Sequence, residues 1–164
     1  MRVYLPATVT ELQALLQPGG IAPPQTAFAV TPALREWYVD DDLEELEYAA
    51  MLEAARASLR LLDADPLAPR RRVVVALDAP DDSVEIRDDI DRGVVQLSRP
   101  VVIADVASVH VDDADAEEAV AAAAAAIIEA DLGGQAAQEK VDDAEGYELS
   151  WYASQEIALL LELG

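Results

Sequence analysis

Arg70-Arg71-Arg72-Val73-Val74-Val75-Ala76-Leu77-Asp78 is the stretch that decides the fold. Five apolar residues stand in a row, three of them β-branched, between arginines and an aspartate. The run is too short for a helix and apolar toward both sides, which predicts a strand buried on both faces. Such a strand needs cover on each face, and the sequence on both sides of it supplies helices. Upstream, residues 40–65 carry the longest uninterrupted helical pattern. Tyr48, Leu52, Ala55, Leu59 and Leu62 recur at steps of four and three, which predicts one buried helix face. Asp41 is the expected N-cap with Glu44 as its reciprocal partner. Arg56 and Arg60 near the far end suit the helix dipole, and Pro66 stops the helix.

The remaining elements follow from turn and cap chemistry. Arg2 to Pro6 reads as a short strand. Thr8 and Glu11 form a capping box for a helix with Leu12, Leu15 and Leu16 on one face, closed by Pro18-Gly19-Gly20. Thr26 to Val30 is strand-like, and Thr31-Pro32 starts a short helix to Tyr38. After the central strand, Val84–Ile86 is at most a brief strand, while Val94–Leu97 and Val106–Val111 are fuller ones. Asp112-Asp113 is the expected cap of a helix over residues 115–130, whose alanine run suits close approach to a sheet. A weaker helix over 136–144 follows Gly133-Gly134. Tyr147 to Tyr152 reads as a last strand, and Ser154 is the expected cap of a closing helix with Ile157, Leu160 and Leu161 facing inward. Strands alternating with helices predict an α/β domain spanning residues 1–164, a mixed β-sheet of about five short strands covered by helices. An α+β two-layer sandwich is the alternative.

Composition narrows function mainly by exclusion. The chain has no cysteine, so disulfides, thiolate nucleophiles and cysteine-ligated metals are out. One histidine excludes two-histidine zinc motifs, and neither G-x-S-x-G nor a glycine-rich phosphate loop occurs. No apolar run is long enough to span a bilayer and no leader pattern is present, so a cytoplasmic protein that neither enters nor crosses a membrane is expected. The formal net charge is −22. Such a field repels phosphate backbones and favours a protein partner with a basic surface.

Two constellations stand out. His110 and Asp112 lie two apart on a strand, hence on one face, with Asp115 at the start of the next helix, and together they form a candidate metal or acid–base site. The spacing of Asp113, Asp115 and Glu117 fails as a calcium loop, which requires Gly where Glu118 stands and Glu where Ala124 stands. The second constellation is the pair of dipeptides Trp37-Tyr38 and Trp151-Tyr152, with Arg35 beside the first. Adjacent residues cannot share one face, so one ring of each pair is free to leave the core and serve a binding surface. No cofactor is indicated.

The stretches MRVYLPAT, AFAVTPALREWY, EELEYAAMLEAARASLRLL, RRVVVALD, VASVHVDD and ELSWYASQEI, in this order, resemble a family of small acidic actinobacterial proteins. That resemblance implies a bacterial cytoplasmic protein from a high-GC organism and brings with it no activity, cofactor or catalytic residue. The residues themselves support three readings: a non-enzymatic interaction protein using Arg35, Trp37, Tyr38, Trp151 and Tyr152, a small enzyme using His110, or an acidic mimic that occupies a basic partner.

Overall fold

The structure, a computed structural model, describes residues 1–38 and 42–163. Seven strands form one sheet: β1 (Arg2–Ala7), β2 (Gln25–Ala29), β3 (Val73–Asp78), β4 (Val84–Ile86), β5 (Val94–Leu97), β6 (Val106–Val111) and β7 (Ser150–Ala153). Their order across the sheet is β4-β5-β2-β1-β3-β6-β7, and every pairing is antiparallel. The sheet therefore has seven strands rather than about five, and it is not mixed. Helix length explains part of this. Between β1 and β2 stands α1 (Val9–Leu15), seven residues and hence about 10 Å long. A six-residue strand runs about 20 Å, so α1 cannot carry the chain back along it, and β2 starts near the end of β1 instead.

β3 lies third from the β7 edge, and Val73 to Leu77 are all at most 2% exposed, buried on both faces as the apolar run predicts. Alternation sorts the side chains. Val3, Leu5, Val73, Val75 and Val109 face a core closed by Leu12 and Leu15 of α1 and by Ile157 of α6 (Ile157–Leu163). Tyr4, Phe28, Val74, Ala76 and Val94 face the other way, toward α2 (Pro32–Trp37) and α3 (Leu43–Ala64). Helices thus cover both faces and give three layers. The antiparallel pairing is that of the α+β alternative, but the two-sided cover is not that of a two-layer sandwich.

The long helix is turned relative to its predicted face. Leu59, Leu62 and Ala55 are buried as expected, but Tyr48 and Leu52 are 53% and 43% exposed, and Leu46, Ala50, Ala54 and Ser58 are buried instead. The first half of α3 lies close on the sheet, where alanines fit and Tyr48 would not. The second half packs against α4 (Glu117–Asp131) and α5 (Gln135–Glu145), whose Val120, Ala123, Ile127 and Val141 join Leu59 and Leu62 in a separate core. The alanine run of α4 thus serves helix–helix contact rather than helix–sheet contact. Ser58 spends its hydroxyl on two backbones, donating to Ala7 O at 2.7 Å and accepting from Val73 N at 3.1 Å, and so ties α3 to β1 and β3.

Two predicted caps form as read: Thr8 accepts from Glu11 N at 3.2 Å and Thr31 from Leu34 N at 3.1 Å. Leu16, at 44% exposure, leaves the face shared by Leu12 and Leu15. Asp41 lies outside the described residues, and Asp42 caps α3 by accepting from Glu44 N at 3.0 Å. Neither Asp112 nor Asp113 caps α4. A 3-10 turn over Ala114–Ala116 leads into that helix instead, and both carboxylates bond elsewhere. A similar turn over Ser154–Glu156 precedes α6 in place of the simple Ser154 cap. Gly20 has φ +62°, and a Cβ there would meet Val101 O at 1.9 Å, so the turn after α1 admits only glycine where Ile21 bridges to Val101.

Candidate functional site

The three arginines that precede β3 take three different posts. Arg70 donates to the carbonyls of Leu62, Asp65 and Ala68 and so closes the C-terminus of α3. Arg71 lies 3.6 Å from Glu117 at the start of α4. Arg72 is buried. Its guanidinium grips Asp112 through two bonds of 2.8 Å and also donates to the carbonyls of Ala144 and Tyr147, while its backbone N–H donates to Asp112 Oδ2 at 2.7 Å. Asp112 therefore accepts three bonds from a single residue. The pair welds the start of β3, the end of β6 and the turn after α5 into one block.

That placement bears on the His110/Asp112/Asp115 constellation. His110 and Asp112 do share the α3 side of the sheet, but Asp112 is committed to Arg72, and Asp115 stands exposed in the turn before α4. Among the described residues no group of three or more His, Asp or Glu side chains is placed to hold a metal. His110 is half-buried, and its Nε2 lies 3.1 Å from Ser108 Oγ. Burial pushes its pKa below the ordinary histidine value, so the ring is held toward its neutral form.

The two Trp-Tyr dipeptides both put a tryptophan outside the core, each 61% exposed, but α3 separates them. Trp37 and Tyr38 line a hollow of about 120 Å³ between α2, α3 and the turn before β5. There the Arg92 guanidinium stacks 3.4 Å from the Trp37 ring centroid, and Thr31 Oγ1 donates to Arg92 O and holds that turn against α2. Glu53 and Asp91 share this hollow. Burial and then the nearby Asp91 charge raise the Glu53 pKa. Arg35 is exposed on α2, on this side of α3.

Trp151 belongs to the opposite flank. On β7 it pairs across from His110, and it lines an open groove of about 350 Å³ with Tyr4, Tyr48, Met51 and His110. Tyr48 and Met51 continue into a second hollow of about 150 Å³ with Leu52, Tyr147 and Leu149. Tyr48, Leu52, Tyr147 and Trp151 are each at least 40% exposed, and together the three rings and the leucine make one apolar strip along α3. Glu44, Glu47, Glu145 and Glu148 rim it. Its two arginines are already engaged, Arg2 with Asp78 at 2.9 Å and Arg72 with Asp112. Tyr4 donates to Glu47 Oε2 at 2.9 Å, and burial, reinforced by that bond and the Glu47 charge, pushes its pKa up to about 12. Tyr152 points to the other face and packs beside Leu160 and Leu161 against the α1/α6 core.

The five predicted binding residues are thus split three ways: Arg35, Trp37 and Tyr38 on one flank of α3, Trp151 on the other, and Tyr152 on the far face. Sequence reading missed Tyr4 and Tyr48 because their spacing suits core positions, Tyr147 because it reads as the start of the last strand, which begins at Ser150 instead, and Arg92 because it sits in a turn with no periodicity.

The fold and this groove define a small, three-layered antiparallel sheet protein with an aromatic, acid-rimmed surface. The chain belongs to a family of unknown function, DUF6912, whose model matches residues 1–161. No curated protein and no solved structure matches it significantly. No helix among the described residues is long and apolar enough to cross a membrane.

Proposed function

We propose that this protein is a non-enzymatic interaction protein that captures a cationic segment of a protein partner in the groove between α3 and β7. The observation that carries the reading is the meeting of exposed rings and carboxylates in a groove and the hollow that adjoins it across Tyr48 and Met51: Tyr48, Tyr147 and Trp151 beside Glu44, Glu47, Glu145 and Glu148. Aromatic faces attract ammonium and guanidinium groups, and a carboxylate rim adds charge complementarity. The net charge of −22 steers such a partner toward the surface from a distance.

The test is a fluorescence titration with a lysine-rich peptide in the Trp37→Phe background, where Trp151 is the only indole. Binding should change the Trp151 emission and weaken with added salt. Trp151→Ala, followed by a labelled peptide, should lower affinity about tenfold, the order of a desolvated cation–π contact. Because Trp151→Ala leaves the charge intact, unchanged affinity would reduce the binding to diffuse attraction, as in charge mimicry, and the groove reading would fail.

A further inference from the structure

β7 is one edge of the sheet. Its four residues pair with β6 on one side only, Ser108 with Ala153 through Val111 with Ser150, and no described strand pairs with its outer side, where the Ala153 N–H donates to Glu156 Oε1 at 2.9 Å and the Trp151 backbone faces outward. The opposite edge, β4, is shorter still at three residues and runs into an acidic turn with Asp88, Asp89 and Asp91. Only the β7 edge borders the aromatic groove, because Trp151 stands on that strand.

Parity along β7 fixes what each position of a neighbouring strand would meet. Trp151 projects to the α3 side with His110, toward the acid-rimmed groove. Tyr152 projects to the opposite side, where Leu160 and Leu161 pack only partly buried. A strand laid against β7 would therefore set one alternate series of side chains beside Trp151 and the glutamates, and the other beside Tyr152 and the leucines of α6. The first environment suits lysine or arginine, and the second suits an apolar side chain.

Resting on the reading above, we infer that the cationic partner segment binds as an eighth strand on the open edge of β7, with cationic and apolar residues alternating along it. Main-chain hydrogen bonds supply affinity and the two faces supply specificity. The acid rim argues for a cationic partner over a second copy of this chain, whose own rim would approach with the same sign.

The blocked hexapeptide Lys-Val-Lys-Val-Lys-Val tests this in three forms: unmodified, N-methylated on the three lysine nitrogens, and N-methylated on the three valine nitrogens. In a strand only one alternate set of N–H groups points to the neighbour. One methylated form should therefore lose about tenfold or more, and the other should stay within about threefold of the parent. Equal affinities for the two methylated forms, whether retained or lost, would overturn strand addition, while binding by the parent would leave the cation-binding reading standing. Failure of the parent to bind would remove both. Hydrogen exchange adds one arm: the Trp151 amide, which faces away from β6, should be exposed in the free protein and slow with the parent peptide. Protection before any peptide is added, rising with protein concentration, would assign the edge to a second copy and overturn the proposal.

Discussion

The two flanks of α3 meet the same problem in different ways. Each holds a tryptophan that is 61% exposed beside carboxylates. On the α2 flank the chain supplies its own cation, Arg92, stacked on Trp37 and held by Thr31. On the β7 flank the arginines within reach are spent on Asp78 and Asp112, and the Trp151 face lies open among tyrosines and glutamates. The first flank shows the chemistry completed within the molecule. The second holds the same kinds of group without such a stacked arginine, and it is there that we propose a partner's cation sits. Exposure alone would have ranked the two rings equally, and what distinguishes them is the company each keeps.

The most forceful way to break the comparison is to undo the block that supports the open flank. Asp112→Ala leaves Arg72 buried without its carboxylate and should cost about 3–5 kcal/mol in urea unfolding. Asp112→Asn, which keeps hydrogen-bond acceptance, should recover part of that loss. Next in size is the direct contrast of the tryptophans. Trp151→Ala should weaken a lysine peptide about tenfold with little change in stability, whereas Trp37→Ala should leave peptide affinity within about twofold and cost about 0.5–1 kcal/mol of stability through the lost Arg92 contact. If both substitutions weaken the peptide equally, the flanks are not functionally distinct. Smaller again is Asp131→Asn. It removes the partner of Arg56 and Arg60 at a half-open site away from both flanks, and it should cost no more than about 1 kcal/mol, less in high salt.

The subtlest effect is a slope. His110 has its folded pKa lowered by burial, so below the unfolded value of about 6.5 the unfolded chain takes up more protons than the folded one. Its contribution to stability is therefore complete above that pH and is lost as pH falls toward the folded pKa. His110→Gln should remove that part of the acid sensitivity, seen as a shallower fall in unfolding free energy between pH 7 and 5 than the parent shows. A steeper fall in the variant would contradict the burial account.

Much of the scaffold was legible from local chemistry. The apolar run before Asp78, the threonine caps at Thr8 and Thr31, and the strand over Val106–Val111 all depend on residues within a few positions of one another, and each formed as read. What failed depends on distant partners. Asp112 looked like a cap, or a ligand beside His110, because Arg72, forty residues upstream, is invisible to local reading. The face of α3 was misjudged because Tyr48 and Leu52 satisfy a helical period as well as Leu46 and Ala50 do, and only the close approach of the sheet selects the smaller set. No local signal marks Ser58, although it bonds two strands. The candidate site suffered most. Its members come from β1, α3, β6, β7 and the turn after α5, so only the antiparallel strand order brings them together.

The strand order also sets a timetable for synthesis. β1 leaves the ribosome first among the strands yet sits at the middle of the sheet. It finds β2 within about thirty residues, but its other neighbour, β3, pairs Asp78 with Arg2 and is not made until some seventy residues later. At about 5–20 residues per second, the nascent chain waits several seconds with one side of its central strand unpaired. The one long helix made during that interval among the described residues is α3, whose Leu46 and Ala50 meet Tyr4 and Phe28 in the folded protein. The helix that later divides the two flanks thus joins the short α1, on the opposite face, as early cover for the growing sheet.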